Sequence, residues 1–434
     1  MSNEDTGAMS EANNEKRALA PRLRFPEFQQ AGEWAEKLLN DVCEINPAKT
    51  TKHDHDSVSF VPMAAVSEDG GISWSEIRAY GDVKKGYTSF VDKDVIVAKI
   101  TPCFENGKAA LAVNLENGVG FGSTEFHVFR ARNKCLPEFL FFQIYRDEVR
   151  RIGERNMVGN AGQRRVPSSF FESLPFYLPR SAEQKKIADC LSSLDGLIVA
   201  EGEKLRALKA HKDSLMQQLF PREGEAIPRL RFSRFHGAGE WKKRKISALL
   251  TRSINPVDVD GDAMYQEIGI RSHGKGVFHK EFVSGKSLGA KRVFWVKENA
   301  FIVNIVFAWE QAVAVTSAAE GGMIASHRFP MYVAKTGKAN VEFIKYFFLT
   351  KRGKELLGIA SPGGAGRNKT LGQKEFENLE FMLPPTVAEQ NEIANFLSSL
   401  NALITTQGQK VDALKIHRKG LAQQLFPVLN EVQG

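Results

Sequence analysis

AEQKKIADCLSSLDGLIVAEGEKLRALKAHKDSLMQQLFP, residues 182–221, returns at 388–427 as AEQNEIANFLSSLNALITTQGQKVDALKIHRKGLAQQLFP, with 23 of 40 positions identical. A second echo pairs PRLRF at 21–25 and AGEW at 31–34 with PRLRF at 228–232 and AGEW at 238–241. The echoes are offset by 206 and 207 residues, and the stretches between them hardly match. The order is variable block, fixed helix, variable block, fixed helix. A chain built this way carries two different recognition units on one repeated frame, so the repeat governs the fold.

In the first copy Ile187, Leu191, Leu194, Ile198, Leu205, Leu208, Leu215 and Leu219 fall on alternating steps of four and three. In the second the series is Ile393, Leu397, Leu400, Ile404, Val411, Leu414, Leu421 and Leu425. A period of 3.5 over more than four heptads marks a coiled-coil seam. Two steps are polar in each copy, Glu201 and Lys212 against Gln407 and Arg418. Such breaks fix register at some cost in stability. Pro179 and Pro384 precede the helices, and Pro221 and Pro427 close them. Two similar helices in one chain most simply pair with each other. At about 1.5 Å per residue each would span roughly 50 Å, and an antiparallel pair would carry one block at either end. The alternative is a generic dimerisation zipper.

The blocks mix strand and helix. GYTSFVDKDVIVAKI at 86–100 alternates and then runs apolar, as a strand entering a core does, and RVFWVKENAFIVNI at 292–305 holds the same place. STEFHVFR at 123–130 aligns with SHRFPMYV at 326–333. Helices are expected at 137–154 and 341–358. The fold class is therefore α+β, two mixed domains separated by two long helices with a coiled-coil seam. On this alignment Lys99 faces Asn304, and Glu125 faces Arg328. Arg and Lys read guanine, Asn reads adenine, and a carboxylate accepts from cytosine, so varying these positions on one frame suits two readers of different sequences. Drift at surface positions is the alternative. NAGQRRVPSS at 160–169 and GGAGRNKTLG at 363–372 are either phosphate-gripping turns or ordinary exposed loops.

Charge is unevenly spread. The chain carries a net +8. Residues 20–175 hold 20 Lys and Arg against 21 Asp and Glu, hence −1, and residues 228–378 hold 25 against 13, hence +12. A basic excess in one domain points to a polyanion, unless it is simply a solvated surface chosen for solubility.

Other function classes find little support. No stretch approaches the roughly 18 apolar residues of a membrane span, and the polar segment 1–19 reads as a mobile tail, not a signal peptide. Cys43, Cys103, Cys135 and Cys190 are scattered without a CxxC pair, which suits a reducing cytoplasm. GGAGRNKT departs from a phosphate-binding loop because Asn368 stands where glycine is needed before Lys369. Asn46-Pro47 and Asn255-Pro256 lack the second proline and the aromatic of an adenine methyltransferase motif. His53, Asp54, His55 and Asp56 read as a polar loop before a metal site. The sequence offers no catalytic residue, metal site or cofactor site.

The helix openings LPRSAEQKKIADCLSSLDGLI from Leu178 and LPPTVAEQNEIANFLSSLNALI from Leu383 resemble the repeated helix of type I restriction-modification specificity subunits. VAKITPCFENGKAAL at 97–111 and GFGSTEFHVFR at 120–130 are similar to that family's target-recognition domains, although the second block lacks both signatures. The resemblance covers about residues 20–427. It implies recognition domains over 20–177 and 222–382, conserved helices over 178–221 and 383–434 that form an antiparallel coiled coil, and one half of a split double-stranded DNA target for each domain. It further implies docking of two modification subunits, which bring S-adenosylmethionine, and of ATP-dependent restriction subunits. The chain itself would be non-catalytic and cytoplasmic, with no membrane partner. Candidate DNA contacts are Lys99, Thr101, Glu125, Arg164 and Arg165 in the first domain. In the second they are Lys291, Arg292, Asn304, His327, Arg328, Arg367 and Lys369. The competing reading is a two-module coiled-coil scaffold that binds protein and not DNA.

Overall fold

The computed structural model describes residues 20–160, 162–363 and 369–429, so the tail expected over 1–19 lies outside the described residues. The chain divides into two compact units. One comprises residues up to Ala200 together with those from Val411 onward, and the other is Glu201–Lys410.

The repeated helices run Ser181–Leu219 and Val387–Leu425, 39 residues each. Each contributes one half to either unit. In the first unit Arg418 donates to the Asp195 carboxylate through Nε and Nη2 at 2.9 and 3.1 Å. In the second, Gln407 Nε2 donates to the carbonyl and the carboxylate of Glu201 at 3.0 and 2.6 Å, and Lys410 reaches the same carboxylate. Partner numbers fall as residue numbers rise, so the helices pair antiparallel. Every seam residue named above is buried or half-buried. Antiparallel pairing sets only the central polar break, Glu201 and Gln407, opposite its own counterpart. Arg418 is taken up by Asp195, while Lys212 is half-buried and desolvation pushes its amine pKa down.

The second echo fastens each block to its helix. Arg24 Nε and Nη2 donate to the Glu183 carboxylate at 2.7 and 2.8 Å, and Trp34 Nε1 adds a third bond at 3.2 Å. Arg231, Trp241 and Glu389 repeat these bonds at the same distances. The neighbouring glutamines act alike: Gln184 Oε1 accepts from the Leu136 amide, and Gln390 Oε1 from the Asn340 amide. The EQ dipeptide of each helix is therefore a structural clasp. A buried bidentate arginine satisfies the carboxylate that burial would otherwise penalise.

Each unit contains two four-stranded sheets with the same strand order. In the first unit one sheet runs Cys43–Ile45, Phe126–Ala131, Val95–Ala98, Ala109–Leu111, all antiparallel. The other runs Glu76–Ala79, Ser57–Val61, Val119–Gly122, Thr88–Val91, with the middle pair parallel. The second unit repeats this as Leu250–Ser253, Met331–Ala334, Phe301–Val303, Val313–Val315, and as Val277–Ser284, Met264–Ile270, Ile324–Ser326, Val293–Trp295. Val95–Ala98 is apolar at every position and wholly buried, as a central strand covered on both faces should be. A short ribbon closes each unit, Ala35–Leu38 on Pro175–Leu178 and Lys242–Lys245 on Glu380–Leu383.

The helices expected over 137–154 and 341–358 are each broken in two, as Pro137–Ile144 with Asp147–Arg155, and Val341–Leu349 with Lys351–Ile359. Thr350 starts a new helix in the second unit, its hydroxyl accepting from the Gly353 amide at 3.0 Å. Gly353 there lies so close to the Phe347 carbonyl that any side chain would collide. In the first unit Arg146 turns extended and sends its guanidinium to the Pro427 carbonyl at 2.8 Å.

Candidate nucleic-acid interface

Strand Val95–Ala98 ends at Lys99, whose amide donates to the Glu125 carbonyl at 2.9 Å and whose carbonyl accepts from the Val166 amide at 2.9 Å. The Thr101 amide donates to the Arg164 carbonyl. These ladders bring Lys99, Thr101, Glu125, Arg164 and Arg165 together, although they come from three separate segments. Arg165 grips the Glu125 carboxylate through Nε and Nη2, both at 2.9 Å. That bond holds the Glu125 carboxyl below its ordinary pKa and raises that of Arg165. Thr101 donates its hydroxyl to Glu105, which Arg164 approaches at 3.6 Å.

The same frame in the second unit corrects the sequence alignment. The Ile305 amide donates to the Arg328 carbonyl, and the Leu371 amide donates to the Ile305 carbonyl. Ile305, not Asn304, therefore occupies the place of Lys99. Asn304 corresponds to Ala98 and is buried, its Oδ1 accepting from the Val306 amide at 3.1 Å. The alignment of 86–100 with 292–305 carries a one-residue gap that the structure lacks, since Lys93 and Asn299, both at positive φ in the preceding turn, are as far apart in sequence as Lys99 and Ile305. Arg328 does stand opposite Glu125, and Lys369 takes the place of Arg164. Lys369 lies over the Trp309 ring at 5.9 Å.

The remaining candidates divide. Lys291 is bound to the Glu267 carboxylate, which Lys280 also approaches. Arg292 is exposed, and its carbonyl accepts from the His327 amide. His327 is half-buried with Nδ1 unpartnered. Arg328 is exposed and has no ion pair among the described residues. Arg367 lies outside the described residues. Of the polar loop, His53 and His55 stack on each other and Asp54 binds Lys84.

Sequence reasoning missed Glu105, which holds Thr101 and Arg164, and the pair Asn46 and His127. His127 is buried beneath the cluster. As a neutral ring protonated at Nε2 it donates to the Val166 carbonyl at 2.8 Å and accepts from Asn46 Nδ2 at Nδ1. Asn46 Oδ1 accepts in turn from the Val128 amide. The Asn-Pro step at 46–47, dismissed as a failed methyltransferase motif, was the visible sign of this anchor.

Desolvation pushes the His127 pKa down, and nearby Lys99 adds to this, against the raising effects of the Val166 carbonyl and Glu125. The unfolded ring titrates near 6.5. Between the two values the unfolded chain holds the proton and the folded one does not, so stability falls as pH drops from about 6.5. Hydrogen exchange in Phe126–Ala131, corrected for intrinsic rates, is expected to accelerate between about pH 7 and 5. A His127→Gln chain should lack that acceleration. Pro330 holds the matching position in the second unit and brings no such titration. Unchanged protection of the wild-type strand across this range excludes the effect.

The model of the type I restriction modification DNA specificity domain matches residues 31–210 and 260–415. The chain is 40% identical over 199 residues to the type I restriction enzyme EcoEI specificity subunit of Escherichia coli, covering 44% of this chain and 34% of that protein. It is 39% identical over 189 residues to the EcoAI specificity subunit of the same organism, covering 43% and 32%. The chain thus spans about a third of the length of these curated relatives. Its fold is similar to the crystal structure of the type I restriction-modification system S subunit from M. genitalium, with TM-score 0.57 and 12% identity over 95% of this chain and 100% of that one.

Proposed function

The chain belongs to the family of the type I restriction modification DNA specificity domain, and from that premise we propose that it reads a two-part DNA sequence, one part with each unit. One observation carries the reading. Corresponding points of a single repeated frame present Lys99, Glu125, Arg164 and Arg165 in the first unit but Ile305, Arg328, Lys369 and Thr370 in the second. Structural constraint would favour similar residues at equivalent points, whereas two readers of different bases need different donors and acceptors. The charge pattern is even inverted, with a carboxylate tied to arginine in one unit and, in the other, an arginine without an ion pair among the described residues.

The chain brings specificity, and the modification subunits that dock on it bring S-adenosylmethionine and methylate adenine. ATP-dependent restriction subunits complete the assembly for cleavage. Among the described residues no group of three or more acidic, histidine or cysteine side chains is placed to hold a metal. No helix of those residues is long and apolar enough to cross a membrane.

Co-expression with the neighbouring modification subunit in a methylation-free host, followed by genome-wide mapping of methylated adenines, tests this. The expected result is one motif of two short half-sites around a fixed gap. A stable complex with that subunit but no methylation would overturn the reading.

A further inference from the structure

The tetrad that follows AGEW is where the two copies of the frame differ most in charge. In the first unit it is Ala35-Glu36-Lys37-Leu38, and in the second it is Lys242-Lys243-Arg244-Lys245. Both tetrads form the same element, the outer strand of the closing ribbon, and all residues of both are exposed. The difference is therefore not forced by packing. None of the four cations has an ion-pair partner among the described residues. Glu380 is opposite Lys245 in the ribbon register without forming one.

The surroundings amplify the contrast. The short helix after the ribbon strand, Ile246–Leu249, is joined by Lys335, whose amide donates to the Leu249 carbonyl and whose Nζ donates to the Ser247 carbonyl. Lys338 follows one turn later and is exposed. In the first unit Arg132 takes the place of Lys335, donating its amide to the Val42 carbonyl, but Asp41 and Glu36 balance it and Lys37, which leaves Lys134 of the same turn as the one excess cation of this set. Ala248 stands where Asp41 would be. Four adjacent unpaired cations repel one another, and folding gains nothing from placing them together. A polyanion relieves that repulsion and releases counterions on binding.

We propose that the Lys242–Lys245 strand is a grip for the phosphodiester backbone of duplex DNA that acts regardless of base sequence and is present in the second unit only. The proposal rests on the chain being a DNA reader and adds an anchoring surface apart from the residues that face bases. Four strand residues at about 3.3 Å each span roughly 10 Å, the axial length of about three phosphates on one strand. Each neutralised phosphate contributes about −0.9 to the slope of log affinity against log salt, so the grip accounts for roughly −2.7.

The test uses the full chain and a random-sequence DNA duplex as probe, titrated over a range of salt. One variant carries Lys242→Gln, Lys243→Gln, Arg244→Gln and Lys245→Gln. A control of equal net charge carries Lys185→Gln, Lys204→Gln, Arg206→Gln and Lys209→Gln on the exposed side of the first long helix. Circular dichroism checks that both retain the fold. The expected result is a slope shallower by roughly 2–3 for the ribbon variant alone, so that the wild-type advantage shrinks about 40-fold between about 50 and 200 mM salt. An unchanged slope in a ribbon variant whose parent binds DNA overturns the grip and leaves the DNA-reading proposal standing. Equal shallowing in both variants also overturns it, because net charge alone then explains the effect. If the parent chain shows no affinity for the duplex at any salt, the DNA-reading proposal falls and takes the grip with it.

Discussion

Replacing Glu389 with alanine is expected to cost the second unit about 3–5 kcal/mol, the largest single loss among the substitutions considered. Arg231 is only 5% exposed and Glu389 is fully buried, so the substitution leaves a largely buried guanidinium without its carboxylate and with only the Gly239 carbonyl as acceptor. Trp241 Nε1 loses its acceptor in the same step. A domain with a total stability of about 5–15 kcal/mol has little room for this. The Glu183→Ala chain should suffer less, since Arg24 is 11% exposed and can recruit water. Hydrogen exchange read separately in the two units measures both. The expected pattern is deprotection in Glu201–Lys410 for Glu389→Ala and in the other unit for Glu183→Ala. A loss below about 1 kcal/mol would mean that the clasp sits in an environment as forgiving as the surface.

The Glu125→Ala chain is expected to separate affinity from specificity. The carboxylate now occupies Arg165. Its removal frees a cation beside Lys99 and Arg164, so binding to random duplex should strengthen and its salt slope steepen by about one unit. Discrimination within the first half-site should meanwhile fall by about 1–3 kcal/mol, roughly 5- to 150-fold, because the geometry that aims Arg165 is lost along with an acceptor. Discrimination within the second half-site should not change. Competition between the target and single-base variants of it measures each part. Equal weakening on all sequences would assign the pair to stability alone.

The long helices were legible because a heptad seam is a local pattern, repeated almost residue for residue. The strand frame was legible for a similar reason, since the buried run Val95–Ala98 and its counterpart Phe301–Val303 announce themselves by composition. What failed was whatever depended on distant chain. The break at Arg146 answers to Pro427, which lies 281 residues away. The break at Thr350 did have a local sign, a threonine followed three residues on by glycine, but Thr is also common inside helices. At the candidate interface the residue types could be chosen from the sequence, yet their pairing could not. Lys99 shares its place with Ile305 at the same offset as the repeated helices, which an ungapped alignment gives, whereas the Arg165–Glu125 bond joins residues 40 positions apart. The KKRK tetrad was plainly visible after AGEW. Its meaning emerged only when the ribbon showed that the first copy, AEKL, is equally exposed.

One unit is continuous in sequence and the other is not, which gives the chain a birth order opposite to the usual one. Domains generally complete themselves from the N-terminus as the ribosome proceeds. Here Trp34 and Phe139 pack on Phe426, and the Leu23 amide donates to the Gln424 carbonyl. The first unit therefore lacks part of its core, Leu425, Phe426 and Leu429, until the second long helix has been made. Glu201–Lys410 is continuous in sequence and can close while residues 411–429 are still in the exit tunnel. A nonsense codon shortly after residue 410 would spare the later-made unit and strip the earlier one, leaving a nascent product that chaperones must shield at its beginning and not at its end.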